Sequence, residues 1–297
     1  MLIRLLLLFL IVITPARAEE PLWGEIASTL GKGFVNVTTA GGVRRYKPYR
    51  HHGGVVSLTI DRTDLGATVE YGMLPDLDLH VRIPYFHQTI EESFAGDSIE
   101  HPMSGMGEME VGARWRFRQS FRRQQKDELA LLLDLKLPTG DENMRDAGGA
   151  IITPHLQPNS GNWGASLGLA ANRHTRQGGY WTSSMVTAET ASSQYHRGWM
   201  LELHGSAGWR LRPLRRVDQI DWLGIVGLHF HQMGKDKEAG QTLSDSGGNI
   251  LSAELGVTGS KRTRGLRLGI LIPLNTNLGE SHAPPRYEIQ ASLRASF

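Results

Sequence analysis

Residues 287–297 read Tyr-Glu-Ile-Gln-Ala-Ser-Leu-Arg-Ala-Ser-Phe. Tyr287, Ile289, Ala291, Leu293, Ala295 and Phe297 are apolar, and the intervening Glu288, Gln290, Ser292, Arg294 and Ser296 are polar. A period of two sets these groups on opposite faces of an extended strand. The strand ends on a bare aromatic ring, whereas most termini are frayed. A last strand that closes a barrel against the first, with Phe297 turned to lipid as an assembly signal, accounts for such an ending.

Working outward, the same alternation recurs. Leu77 to Tyr85 sets Leu77, Leu79, Val81, Ile83 and Tyr85 against Asp78, His80, Arg82 and Pro84. Glu108 to Phe117 sets Met109, Val111, Ala113, Trp115 and Phe117 against Glu108, Glu110, Gly112, Arg114 and Arg116. Leucine fills every odd position from Leu129 to Leu137. Trp199 to Leu211 places Glu202, His204, Ser206 and Arg210 on the polar face, and Trp163 to Ala171 and Leu266 to Leu274 follow suit. Turn formers separate these runs, such as Leu74-Pro75-Asp76, Pro138-Thr139-Gly140-Asp141 and Gln177-Gly178-Gly179. The longer connectors, Gln88 to Gly105, Asp141 to Asn162, Gly234 to Gly247 and Asn275 to Arg286, are assigned to the extracellular side, where barrel loops are long. The reading is all-β: an antiparallel transmembrane barrel of about 12 strands, with 10 to 14 compatible with the pattern. Gly33 to Ala40 reads as a strand, and Gly41 to Gly53 as loop or strand extension.

Alternation also fits a periplasmic β-sandwich whose apolar face makes the core. Runs near ten residues exceed the usual five or six of soluble strands. They favour the barrel, as does the terminal phenylalanine. The mean hydropathy of -0.28 does not oppose it, because only alternate residues of a barrel strand face lipid.

The opening MLIRLLLLFLIVITPARAEE carries Arg4, nine apolar residues from Leu5 to Ile13, and Ala16-Arg17-Ala18 before an acidic pair. This pattern predicts a secretory signal peptide over residues 1–18, since a spanning helix needs roughly 20 apolar residues. Residues 19–297 then form one barrel domain, with 25–53 as a candidate lumen plug. The chain has no cysteine, which excludes disulfides and thiol chemistry. Lys+Arg 32 against Asp+Glu 30 is too balanced for a nucleic-acid partner.

Five short stretches occur in order: Glu70-Tyr71-Gly72 before Leu77 to Tyr85; Ser104-Gly105-Met106-Gly107-Glu108; Leu135-Lys136-Leu137-Pro138-Thr139-Gly140-Asp141; Asn159-Ser160-Gly161-Asn162-Trp163; and Ile272-Pro273-Leu274. Together they resemble the MetA-pathway of phenol degradation family, with Glu108 where that family usually carries aspartate. The resemblance implies a Gram-negative outer-membrane transporter for passive uptake or efflux of small solutes, aromatic or hydrophobic compounds among them. Its partners would be outer-membrane lipid, lipopolysaccharide and the barrel-assembly machinery. An outer-membrane barrel enzyme or a periplasmic β-sandwich binding protein is the alternative.

Candidate lumen residues are Asp78, His80, Arg82, Glu108, Glu110, Arg114, Arg116, Glu202, His204 and Arg210. No catalytic residue is assigned, because no Gly-x-Ser-x-Gly elbow is present. No cofactor is expected, as no Gly-x-x-x-x-Gly-Lys motif occurs. His229 and His231, at i and i+2 on one strand face, are weak metal candidates, lacking a third ligand. Met103, Met106 and Met109 near His101 read as packing rather than copper ligands. Asp141-Glu142-Asn143 with Asp146 reads as a solvated acidic loop, and Arg44-Arg45, Arg122-Arg123 and Arg215-Arg216 as rim charges.

Overall fold

The computed structural model describes residues 21–51, 56–94, 97–141, 144–145, 149, 157, 159–190, 195–212, 219–279 and 282–297. The expected signal peptide, Glu142, Asn143, Asp146, Arg215 and Arg216 lie outside them.

Twelve long strands follow in chain order: β1 Val35–Tyr46, β2 Val56–Leu74, β3 Leu77–Phe94, β4 Glu110–Arg122, β5 Gln125–Lys136, β6 Gly164–Thr175, β7 Gly178–Glu189, β8 Met200–Arg210, β9 Asp221–Met233, β10 Gly248–Lys261, β11 Arg264–Leu278 and β12 Pro285–Ser296. Each pairs antiparallel with its neighbours, and β12 pairs with β1 from Asn36↔Ser296 to Arg45↔Tyr287. The sheet therefore closes into a barrel, which leaves no free edge over these paired stretches.

Polarity decides which solvent the barrel meets. Leu167, Leu169, Leu228 and Leu293 are each more than half exposed on the outer face. Asn36, Asp78, Arg114, Glu128, His204 and Glu254 point inward and are buried. This inverts a soluble core and excludes the sandwich, for only lipid makes an apolar exterior favourable. Exposed Trp115, Phe121, Tyr180 and Trp209 ring the short-turn end, and Tyr85, Trp163 and Trp199 the other. Such girdles mark the two membrane interfaces.

Short turns join β2 to β3, β4 to β5, β6 to β7 and β10 to β11 at the end where β12 finishes. Arg123 and Arg262 take positive φ (43° and 54°) in two of them, a twist that matches hairpin strands. Long connectors occupy the opposite, extracellular end. One expectation needs correction: Gln88 to Gly105 is not a loop, since β3 runs to Phe94 and turns into a strand Asp97–Met106 laid against it. There Leu58, Ile60, Phe86, Ile90 and Met103 pack inward as an apolar cluster over the mouth. Met103 is thus buried as packing. A second correction concerns residues 275–286, of which 275–278 extend β11 and 285–286 begin β12.

Candidate functional site: the lumen and its inner segment

Residues 21–33 run inside the bore before the chain joins the wall at β1. The Leu22 amide donates to Glu254 Oε1 of β10 at 3.1 Å. Trp23 Nε1 donates to Glu288 of β12 at 3.3 Å, and the Glu25 amide to Ser183 Oγ of β7 at 3.1 Å. Ser28 Oγ donates to Glu128 of β5 at 2.5 Å, and the Leu30 amide to Asp78 Oδ2 of β3 at 2.9 Å. Partners on five strands mean that the segment crosses the bore from wall to wall. Ala27 adds an apolar contact with Ala130, Leu132 and Ala170. Backbone amides of this irregular segment are satisfied by the inward Glu254 and Asp78 carboxylates and the Ser183 hydroxyl, as burial of amides requires.

Glycine makes the turn into the wall. Gly31 and Gly33 take φ of +91° and +86°, a region costly for residues with a Cβ. Opposite, a Cβ on Gly72 would lie 1.8 Å from the Gly31 carbonyl oxygen. The candidate plug over 25–53 is accordingly redrawn: the segment inside the bore starts by Pro21, while Val35–Tyr46 is wall. Period-two alternation is weak there, with Thr38, Thr39, Ala40, Gly41 and Gly42 in succession.

Above the segment lies a cavity of about 940 Å³. Its charges are paired: Arg44 with Glu288 at 2.7 Å, Arg82 with Glu110 at 2.7 Å and with Glu25 at 3.2 Å, and Arg114 with Glu70 at 3.1 Å. His80 Nε2 lies 2.9 Å from Asp134 and His204 Nε2 lies 2.6 Å from Glu254. Ile60, Met185, Met233, Ile250 and Leu271 supply apolar surface between them.

The sequence candidates therefore divide by height. His80, Arg82, Glu110, Arg114, Glu202 and His204 line the cavity. Asp78 is buried, bound to the Leu30 amide and 3.6 Å from Arg114. Neither Asp78 nor the three remaining candidates line the cavity. Glu108 accepts the Ser160 and Gly161 amides at 2.9 and 3.0 Å and meets Lys136 at 2.9 Å, bracing the 137–163 connector. Arg116 pairs with Asp76 at 2.5 Å and Glu128 at 2.9 Å, and Arg210 pairs with Asp221 at 3.0 Å, both toward the short-turn end. Arg44 is no rim charge but a lumen one. It was missed with Glu288, Glu70 and Glu254, although Ser252-Ala253-Glu254-Leu255-Gly256 carries the alternation that could have found the last.

His229 and His231 face the cavity, and the rings of His204 and His229 sit 6.2 Å apart. Among the described residues no group of three His, Asp or Glu is placed to hold a metal ion. Asp141 accepts the Met106 amide at 3.1 Å.

A polar knot secures the extracellular end. Asp236 Oδ2 accepts the Tyr195 hydroxyl at 2.6 Å, and Oδ1 the Gly198 amide at 2.8 Å, with His282 at 3.3 Å. Burial alone would raise the Asp236 carboxyl, yet the neighbouring His282 ring and the bonds from Tyr195 and Gly198 hold it below its usual range. Burial pushes the Tyr195 hydroxyl well up, and its bond to Asp236 adds to that.

No family model matches this sequence, and no curated protein matches it. Among solved structures, an outer membrane channel from Pseudomonas putida F1 is similar, with a TM-score of 0.64 and 15% identity, covering 94% of this chain and 100% of that one. The transport unit of the autotransporter AIDA-I from Escherichia coli is similar at TM-score 0.51 and 11% identity, covering 93% and 94%. Identities this low show a shared fold. The class is the outer-membrane type of closed antiparallel β-barrel, here with twelve strands and an inward-folded segment across the bore.

Proposed function

We propose that the chain is an outer-membrane channel for passive movement of small solutes, aromatic or hydrophobic compounds among them, exported by its signal peptide. We also assign it to the MetA-pathway of phenol degradation family, on the five ordered stretches. The observation that carries the function is the lumen: a cavity of about 940 Å³ on the long-connector side of residues 21–33. That volume is in the usual range of small-ligand sites, and its mixed lining gives an aromatic solute both apolar contact and polar edges. The inner segment is the plug, and outer-membrane lipid, lipopolysaccharide and the barrel-assembly machinery are the remaining partners. Phe297, whose amide donates to the Val35 carbonyl at 2.8 Å, is the assembly element; Phe297→Ala should lower folded yield in cells.

An enzymatic role is not favoured by the Ser/His/acid grouping of Ser28, His174 and Glu128 at the segment. Ser28 Oγ lies 3.3 Å from His174 Nε2 and donates directly to Glu128. Glu128 also meets His174 at Nε2, at 3.5 Å, whereas a nucleophilic relay needs the acid on the opposite nitrogen.

Single-channel recording in planar bilayers tests the reading. The chain starting at Glu19 should give small steps, and deletion of residues 21–31 should enlarge them several-fold. Equal conductance would remove the plug, and folded, inserted protein that never conducts after the deletion would remove the channel.

A further inference from the structure

The cavity wall built by β7, β8 and β9 carries a set of donors found nowhere else in its described lining. Three successive inward rungs cross these strands. The lowest pairs His204 with His229, the next joins Met185, Glu202 and His231, and the uppermost pairs Met200 with Met233. All of these side chains line the cavity. On β10 and β11 the apolar lining is Ile250 and Leu271, whereas β7, β8 and β9 use methionine.

The register decides how close the donors come. Residues directly opposite on adjacent strands have Cβ atoms about 4.5–5.5 Å apart, and diagonal neighbours lie at about 7–8 Å. Met200 and Met233 are directly opposite, and His231 stands two residues from Met233 on the same strand face. A methionine side chain is unbranched and flexible, so both thioether sulfurs can swing to one point beside the His231 ring.

His231 has a nitrogen to spare. Its Nε2 is buried from solvent, makes no hydrogen bond and lies 4.0 Å from the Glu202 carboxylate. Buried polar atoms are generally satisfied, so an unmet nitrogen on a cavity wall is a place for a ligand. His204, by contrast, commits its Nε2 to Glu254 at 2.6 Å. Nitrogen and oxygen donors alone assemble no metal-binding set among the described residues. The two thioethers supply what that count leaves out.

Donor chemistry selects the ion. Thioether sulfur is soft and polarizable and suits Cu(I), whereas Mg²⁺ and Ca²⁺ take carboxylate, carbonyl and water oxygens. Charge points the same way. Glu202 brings one negative charge and the thioethers and neutral imidazole bring none, so a monovalent ion leaves the rung near neutral. A divalent ion would leave a positive charge unmatched.

We propose that Met200, Met233 and His231 form a binding site for Cu(I), with Glu202 as its charge partner. The site belongs to the wall itself and stands whether or not the bore conducts.

Competition for the metal tests it. The chain starting at Glu19, purified in detergent, is mixed with Cu(I) under ascorbate and the chromophoric chelator bicinchoninate. We expect the protein to withdraw one ion per chain. Met200→Leu/Met233→Leu is a volume-conserving change and should weaken binding about 100-fold or more, since even the partners of metal ligands contribute about 10- to 100-fold. His231→Gln should weaken it in the same direction. Met73→Leu/Met106→Leu, at exposed methionines outside the cavity, should bind as the unaltered protein does. Heat-modifiable gel mobility checks that each variant is folded. Failure of the unaltered protein to withdraw the ion overturns the site, as does equal binding by either cavity variant or an equal loss in Met73→Leu/Met106→Leu. A second measurement needs no variant: X-ray absorption of Cu(I) on the unaltered protein should show sulfur and nitrogen neighbours. Oxygen neighbours alone would also overturn the site.

Discussion

Glu254 accepts the amide of Leu22, a residue 232 positions away, at 3.1 Å, and so fixes one end of the inner segment to the barrel wall. The carboxylate is fully buried and also meets His204 at 2.6 Å.

Glu254→Leu should loosen this end of the segment. Hydrogen bonds to charged groups contribute about 1.5–3 kcal/mol, so the undocked population should rise roughly 10- to 150-fold. Bilayer recordings should show more frequent large openings, and an unchanged record would mean that the remaining contacts suffice.

Gly72→Ala tests the other end by steric means. Its Cβ would fall 1.8 Å from the Gly31 oxygen, a backbone atom with little room to move. The change should cost about 1–3 kcal/mol, as overpacking generally does, and raise conductance without any loss of charge. Thermal unfolding and single-channel steps measure the two effects separately.

Arg82→Gln should shift ion selectivity toward cations. It removes the partner of Glu110 and Glu25, leaving net negative charge where ions pass. One unit charge at about 7 Å in water changes an ion's energy by about 0.6 kcal/mol, or roughly threefold in permeability ratio. The reversal potential in a salt gradient reads this directly.

The Asp236 knot should open in acid. Its carboxyl is held below the ordinary value, so its contribution is present above the unfolded value of about 3.9 and is lost as pH falls through the lower folded value. Tyr195 is raised, so its contribution is full below about pH 10 and is lost at higher pH. Proteolysis within residues 234–247 should therefore stay slow from pH 5 to 9 and quicken beyond about pH 4 and 10. Asp236→Asn should quicken it at pH 7.

Strands with strict alternation were legible because a barrel strand faces two solvents and its side-chain period is two. Leu77 to Tyr85 carries that pattern, and Leu129 to Leu137 keeps leucine on its lipid side although Ala130 and Leu132 pack inward. β1 was only half legible, since Gly41 and Gly42 place no side chain on either face. The inner segment was legible only as a region of uncertain type: its hydrogen bonds go to carboxylates on four strands and the Ser183 hydroxyl on a fifth, and no local pattern encodes them.

By itself, the sequence determined the barrel class, the side that meets lipid in the strands with clear alternation and the polar character of the bore, because these follow from the order of residues within single strands. Only the tertiary structure narrowed the strand count to twelve and decided the course of residues 21–33 through the lumen and the pairing of Arg44 with Glu288. Those depend on register and closure, which bring together residues as far apart as Leu22 and Glu254, and register is a property of pairs of strands.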